Sequence, residues 1–157
     1  MAAVVFVLSS ADAVRPVANP MTHPADCGRP HTSWLCDPAK LLSADDASQV
    51  ESALARVRDE APVLACGKGY QVRRSSWWPC QLRVLTPAFG GAQFGMAIVP
   101  TLELYGTRPT EEGARALAKA THDAWGVGHS DCQSGMMLVL ALDDRKVSWT
   151  QPYLFTL

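Results

Sequence analysis

The sequence lacks the charge imbalance and the long apolar run that two large classes of protein need. Its 14 lysines and arginines almost balance its 15 aspartates and glutamates, which leaves a net charge of −1. A basic field that would attract nucleic acid or anionic lipid is therefore absent. The apolar run at residues 135–142 is far shorter than the ~20 residues that a transmembrane helix needs. We therefore predict no nucleic-acid partner and no membrane span in this sequence.

The motifs of several common enzymes are also missing. There is no G-x-S-x-G turn of the kind that exposes a nucleophilic serine in α/β-hydrolases. Gly67-Lys68-Gly69 lacks both the first glycine and the Ser or Thr after the lysine of a phosphate-binding loop. Cys66 is followed by Arg73, which is one residue too far for the C-x5-R loop of a cysteine phosphatase. The sequence therefore favours a binding protein over an enzyme.

Five cysteines are present, but without the spacing of a metal site. No C-x-x-C pair occurs, and no cysteine pair is followed by paired histidines. In an oxidising compartment, two disulfides and one spare thiol are the simplest arrangement. Spacing alone does not decide which cysteines pair. The disulfide candidates are Cys27, Cys36, Cys66, Cys80 and Cys132.

The N-terminus resembles a secretory signal. Met1–Leu8 is apolar, and the small residues Ala11 and Ala13 follow with the spacing of a signal-peptide cleavage site. The alternative is a buried N-terminal strand. Because the cysteine content also suits an oxidising compartment, we predict a signal peptide over residues 1–13 and a secreted protein.

The next segments alternate between irregular chain and one clear helix. Residues 14–35 contain four prolines and little periodicity, which predicts an extended arm outside the core. Ser43 is a favourable N-cap, and acidic residues follow it in the first turn. The helix that begins there ends before Pro62. Its apolar positions recur at helical spacing: Ala47, Val50, Leu54 and Val57.

Residues 63–95 form an irregular insertion that contains two of the cysteines. One short strand is predicted within it, at residues 81–86. Trp77 and Trp78 are adjacent, so both cannot face the core from one strand. An exposed tryptophan is typical of protein-binding surfaces, so these two residues are candidate binding residues. The alternative is that both pack onto the arm.

The remaining pattern predicts strand, helix, strand and strand. Residues 95–101 read as a strand, and Thr110 caps a helix that ends at Gly126. Residues 136–142 are apolar throughout, which predicts a central strand covered on both faces, and residues 145–149 alternate like a hairpin partner. We therefore predict an α/β layered sandwich, a small mixed sheet flanked by helices. The helix should bury one face: Ala114, Leu117, Ala118, Thr121 and Trp125.

Three blocks of sequence carry a family resemblance. Cys36–Ser43 is similar to the entry to the first helix of TPM domains, His122–Gly128 to their helix end, and Gly135–Val147 to their strand and turn. The blocks occur in the family's order, so residues 36–149 resemble a TPM domain. Residues 150–157 do not resemble the family's continuation into another helix. We therefore expect an atypical tail and a domain truncated at its C-terminus.

One branch of that superfamily is more similar than the others. The pairing of Cys27-Gly28-Arg29 with Cys36-Asp37-Pro38, and Cys132 after the helix end, resembles proteins like the modulator of levamisole receptor. The resemblance implies an extracellular module that assists an acetylcholine-gated channel. Such a module is secreted or lies at the extracellular face of the plasma membrane. Other TPM branches are described as calcium-binding acid phosphatases, which is the alternative function.

Four aspartates are the candidate ligands for a cation. They lie at the ends of predicted strands or helices, where the sheet of an α/β protein gathers its ligands, and oxygen ligands suit calcium. The alternative is that Asp37 caps a turn and that Asp143 and Asp144 form a hairpin. No cofactor is otherwise indicated. The candidate calcium ligands are Asp37, Asp131, Asp143 and Asp144.

Overall fold

A computed structural model describes residues 13–60, 93–128 and 135–150 of the chain. Several sequence predictions therefore lie outside the described residues. These are the signal peptide up to residue 12, the insertion with its strand at 81–86, the C-terminal tail from residue 151, and the single residues Cys66, Trp77, Trp78, Cys80, Asp131 and Cys132.

The described residues build a four-stranded mixed sheet. In sheet order its strands are β1 (Leu35–Cys36), β2 (Gln93–Val99), β3 (Gly135–Ala141) and β4 (Lys146–Thr150). The first three strands are parallel, and β4 pairs with β3 in the antiparallel direction through a tight hairpin. With a helix packed against each face, the arrangement confirms the predicted α/β fold.

Both predicted helices begin where their capping residues indicate. Helix α1 spans Ala44–Glu60, and the Ser43 hydroxyl accepts the Asp46 N–H at 3.1 Å. Helix α2 spans Glu111–Trp125, and the Thr110 hydroxyl accepts the Gly113 N–H at 3.1 Å. Each cap satisfies an N–H group that has no partner inside the helix. Short 3₁₀ turns at Ala25–Cys27 and Glu103–Tyr105 complete the described elements.

The two helices bury their apolar faces to different extents. Helix α2 packs on β3 and β4, and all five of its predicted core residues are buried. Helix α1 packs on β1 and β2, where Ala47 is buried but Val50 and Leu54 are only half-buried. Val57, the last residue of the predicted stripe, is 40% exposed. The stripe of α1 is therefore only partly covered.

The prediction that β3 is buried on both faces is wrong. Met137, Val139 and Ala141 are buried on the face under α2. Met136, Leu138 and Leu140 point to the opposite face and are only half-buried. Helix α1 packs on β1 and β2 instead, so it leaves this part of the sheet partly open. The continuous apolar run thus correctly predicted a central strand, but it did not show that the two faces of the strand are buried to different extents.

The arm at residues 14–35 is part of the core, so the expectation that it lies outside is wrong. Val17 is 2% exposed, and its backbone is held at both ends by α2. The Val17 N–H donates to the Thr121 hydroxyl at 3.2 Å, and the Trp125 indole N–H donates to the Val17 carbonyl at 2.9 Å. Side chains of α2 therefore satisfy backbone groups of Val17, which lies in an irregular segment outside the helices and strands.

A disulfide ties the arm to the sheet. Cys27, at the end of the first 3₁₀ turn, is bonded to Cys36 in β1, and both residues are fully buried. The pairing that spacing left open is thus settled for these two cysteines. Next to it, the Asp37 N–H donates to the Cys27 carbonyl at 3.2 Å. The bond closes the loop at residues 28–35 and places it beside α1.

Candidate functional site

The loop closed by the disulfide and the side of α1 enclose a cavity of about 240 Å³. We call this cavity the arm–helix groove. Its wall combines apolar side chains with hydroxyl, imidazole and charged groups, the mixture expected of a surface that fixes a ligand's orientation. The lining residues are Met21, His31, Thr32, Ser33, Trp34, Glu51, Leu54, Ala55 and Arg58. None of them was a predicted site residue.

An ion pair at the groove holds its two walls together. The Arg29 Nε donates to Glu51 Oε1 at 3.0 Å, and its Nη2 donates to Glu51 Oε2. The side chains of Arg29 and Glu51 are only 12% and 20% exposed, so the bidentate pair is largely shielded from water. His31 Nε2 lies 3.6 Å from the same carboxylate. The disulfide therefore closes the loop, and the ion pair fixes the closed loop to α1.

The pKa of Glu51 lies below the ordinary glutamate value. Burial opposes ionisation and alone would raise this pKa. The hydrogen bonds from Ser33 and Arg29 and the nearby positive charges together lower the pKa by more than burial raises it. Glu51 is thus ionised, and its oxygens are occupied by groups of the protein. The groove offers a partner apolar surface on Met21 and Trp34 with polar groups along the rim. This arrangement suits the side chains of a peptide segment.

We expect the Glu51 carboxylate to stabilise the fold most at neutral pH. A carboxyl whose pKa is depressed by folding contributes stability above its unfolded pKa, and this is lost as the pH falls through the folded pKa. The difference in free energy of unfolding between the wild type and Glu51→Gln should therefore shrink as the pH falls below 4.5, the ordinary pKa of glutamate. Urea titrations across this pH range measure it. A difference that stays constant into acid would contradict the assigned ion pair.

Two of the predicted cation ligands bind backbone groups. Both Asp37 oxygens accept N–H groups, from Leu41 at 2.9 Å and Leu42 at 2.8 Å, and Asp37 is 4% exposed. Asp144 Oδ2 accepts the Leu102 N–H at 2.7 Å, which ties the hairpin to the loop after β2. These contacts match the turn-capping alternative raised from the sequence.

The described residues do not assemble a calcium site by themselves. Within residues 13–60, 93–128 and 135–150, no three histidine, cysteine, aspartate or glutamate side chains come together as a metal-binding group. Asp143 is exposed at the hairpin, and Asp131 lies outside these ranges. The four-aspartate calcium set therefore stays a prediction.

A second apolar surface lies on the half-open face of the sheet. We call it the sheet-face patch, and its cavity is about 480 Å³ in volume. Two side chains of β4 are largely exposed: Trp149, which lines the patch, at 60% and Val147 at 65%. The alternation at residues 145–149 predicted a half-exposed strand, but Trp149 was not singled out as a binding residue. The lining residues are Leu54, Phe94, Gly95, Met96, Met136, Leu138 and Trp149.

The helices of the described residues are too short or too polar to cross a lipid bilayer.

Comparison with protein families gives one match. The model of the family described as modulator of levamisole receptor-1 matches residues 16–145 of the 157. The matched range contains the arm from residue 16 onward, the Cys27–Cys36 disulfide, both helices and the three parallel strands. A comparison with curated proteins finds no match.

Proposed function

Because the chain belongs to the modulator of levamisole receptor-1 family, we propose that it is an extracellular binding module that assists a ligand-gated channel. Its partner is a channel subunit of the acetylcholine-gated class. The module is of the TPM type and is secreted or held at the extracellular face of the plasma membrane. The family match carries this proposal.

The arm–helix groove is the binding site in this proposal. Its loop is closed by the Cys27–Cys36 disulfide and fastened to α1 through Arg29 and Glu51. A surface fixed in this way loses little conformational freedom when a partner binds, which favours affinity. Trp34 and Met21 supply apolar area for an anchor side chain, and His31 is exposed at the rim. The groove thus has the anchor-and-rim character of a protein-binding site.

Two features support the proposed location. Disulfides persist in oxidising compartments and are rare in the cytosol, so the buried Cys27–Cys36 bond supports an extracellular protein. The signal-like sequence at residues 1–13 supports the same location.

Binding is preferred over catalysis because of how the described carboxylates are used. The calcium-dependent phosphatase needs acidic oxygens free to hold a cation. Asp37 and Asp144 instead direct oxygens at backbone N–H groups, and Glu51 is paired with Arg29. No observation on the described residues favours the phosphatase, so the binding module is the proposal.

The proposal is tested by co-expressing the full chain with a levamisole-gated acetylcholine receptor. We expect the chain to coprecipitate with the receptor and to change the levamisole-evoked current. Met21→Ala with His31→Ala should weaken association about tenfold, since both residues line the groove and are well exposed. Leu104→Ala is the matched control, because Leu104 is 59% exposed but does not line the groove.

Each result has a distinct meaning. Loss of association in the groove variant alone supports the groove as the binding site. Equal loss in the Leu104→Ala control would place the contact elsewhere on the surface. If the wild type neither coprecipitates nor alters the current, the channel partner is wrong.

A further inference from the structure

We propose that two copies of this chain pair edge to edge through β4, joining their sheets into one continuous sheet. The inference rests on the edge that β4 forms among the described residues and on the side chains of that strand, and it does not depend on the proposed function. The partner it assigns to this edge is a second copy of the same chain.

The first observation is that β4 forms one edge of the part of the sheet that the structure describes. Among the described residues β4 pairs only with β3, so the backbone groups along its outer side have no strand partner there. Edge strands normally avoid pairing through proline, a bulge or several charges. Strand β4 is five residues long, contains no proline, pairs with β3 in unbroken register and has a single charge, Lys146, at its start.

The second observation is that the β4 sequence is complementary to itself. A two-fold axis at Ser148 places Val147 of one copy opposite Trp149 of the other. An aromatic residue facing a β-branched residue is a favourable cross-strand pair. The same axis places Lys146 opposite Thr150, so no like charges face each other. Because residues of the same parity pair, the outward N–H and C=O groups of one strand meet those of the other.

The third observation is the exposure of the side chains that the pairing would cover. Val147 and Trp149 are 65% and 60% exposed, and Trp149 lines the sheet-face patch. In the paired edge, Val147 of each copy is covered by Trp149 of the other copy. It also brings the patches of the two copies onto one shared face, where they form a single larger apolar surface.

The helices on the other face leave room for this arrangement. Helix α2 lies over β3 and β4. With neighbouring strands about 4.8 Å apart, the two α2 axes would lie about 10 Å from each other across the two-fold axis. That separation is close to the ordinary distance between packed helices. The second copy therefore meets no steric barrier from α2.

The test measures the mass of the full chain in solution, by light scattering or sedimentation, after free thiols are blocked by alkylation. We expect twice the monomer mass of 16.9 kDa at micromolar concentrations. Val147→Lys with Trp149→Lys should weaken the dimer at least about tenfold, because it puts charges on the paired edge. Leu104→Lys, at an exposed leucine outside β4, should leave the mass unchanged.

A second measurement guards against misfolding of the variant. Amide exchange at residues 146–150 should slow as wild-type concentration rises, and this dependence should vanish in the β4 variant. Circular dichroism of the variant should match the wild type, since both replaced side chains are mostly exposed. A wild type that stays monomeric overturns the proposal. So does a dimer that survives the double substitution, or one whose β4 amides show no dependence on concentration.

Discussion

Replacing Gly113 with alanine is expected to destabilise the protein by about 3 kcal/mol, the upper end of the range for overpacking. Alanine normally stabilises a helix relative to glycine by about 1 kcal/mol, so the sign is opposite to the usual one. The reason is contact with backbone. A Cβ atom on Gly113 would lie 2.1 Å from the Arg108 carbonyl oxygen, and the chain before α2 would have to move. Urea unfolding followed by circular dichroism measures the loss.

Gly95→Ala is the matched control for this prediction. A Cβ at Gly95 meets side-chain atoms, Met137 Sδ at 2.9 Å and Trp125 Cε3 at 3.0 Å, which shift more easily than a carbonyl group. We expect a smaller loss of about 1 kcal/mol, the lower end of the overpacking range. If Gly113→Ala proved as stable as the wild type, the close approach of Arg108 to α2 would be refuted.

Removing the Cys27–Cys36 disulfide is expected to cost about 2.5 kcal/mol. The two cysteines are nine positions apart, and releasing a loop of this length restores conformational entropy to the unfolded chain. The substitution Cys27→Ala with Cys36→Ala is preferred to chemical reduction, because it leaves Cys66, Cys80 and Cys132 unchanged. Guanidinium unfolding of the variant and the wild type measures the difference.

A double substitution on the exposed side of α1, Ser48→Ala with Ser52→Ala, is the control for a change at two sites. Both serines are exposed, and each hydroxyl donates to a carbonyl of the preceding turn of the helix, so we expect a change within about 0.5 kcal/mol. A similarly small change on losing the disulfide would mean that it adds little to the contacts that already fix the arm.

The helices were predictable because their signals are local. In α2, the Thr110 cap, the Gly126 end and the five core positions all lie within one stretch of sequence, and each prediction is confirmed. In α1, the Ser43 cap is confirmed as well. The order of strands and helices was enough to indicate an α/β fold. The extent of burial on each face of β3 was not predictable, because it depends on where α1 crosses the sheet.

The arm and the groove were not predictable because their partners are distant in sequence. Arg29 and Glu51 are 22 residues apart, and each alone resembles an ordinary surface charge. The prolines of the arm argued correctly against regular structure but said nothing about burial. Val17 is buried because Thr121 and Trp125, more than 100 residues later, supply its hydrogen bonds. Contacts between residues so far apart leave no periodic pattern in a single sequence, so they could not be predicted from it.

The docking of the arm also sets an order of events during synthesis. Val17 emerges from the ribosome early, but the residues that hold it follow 104 and 108 positions later. At the usual rates of translation, Val17 waits for about ten seconds before these two partners exist. Contacts of such high sequence separation also form slowly once both partners are available. The start of the arm around Val17 is therefore among the last parts of the described chain to reach its place.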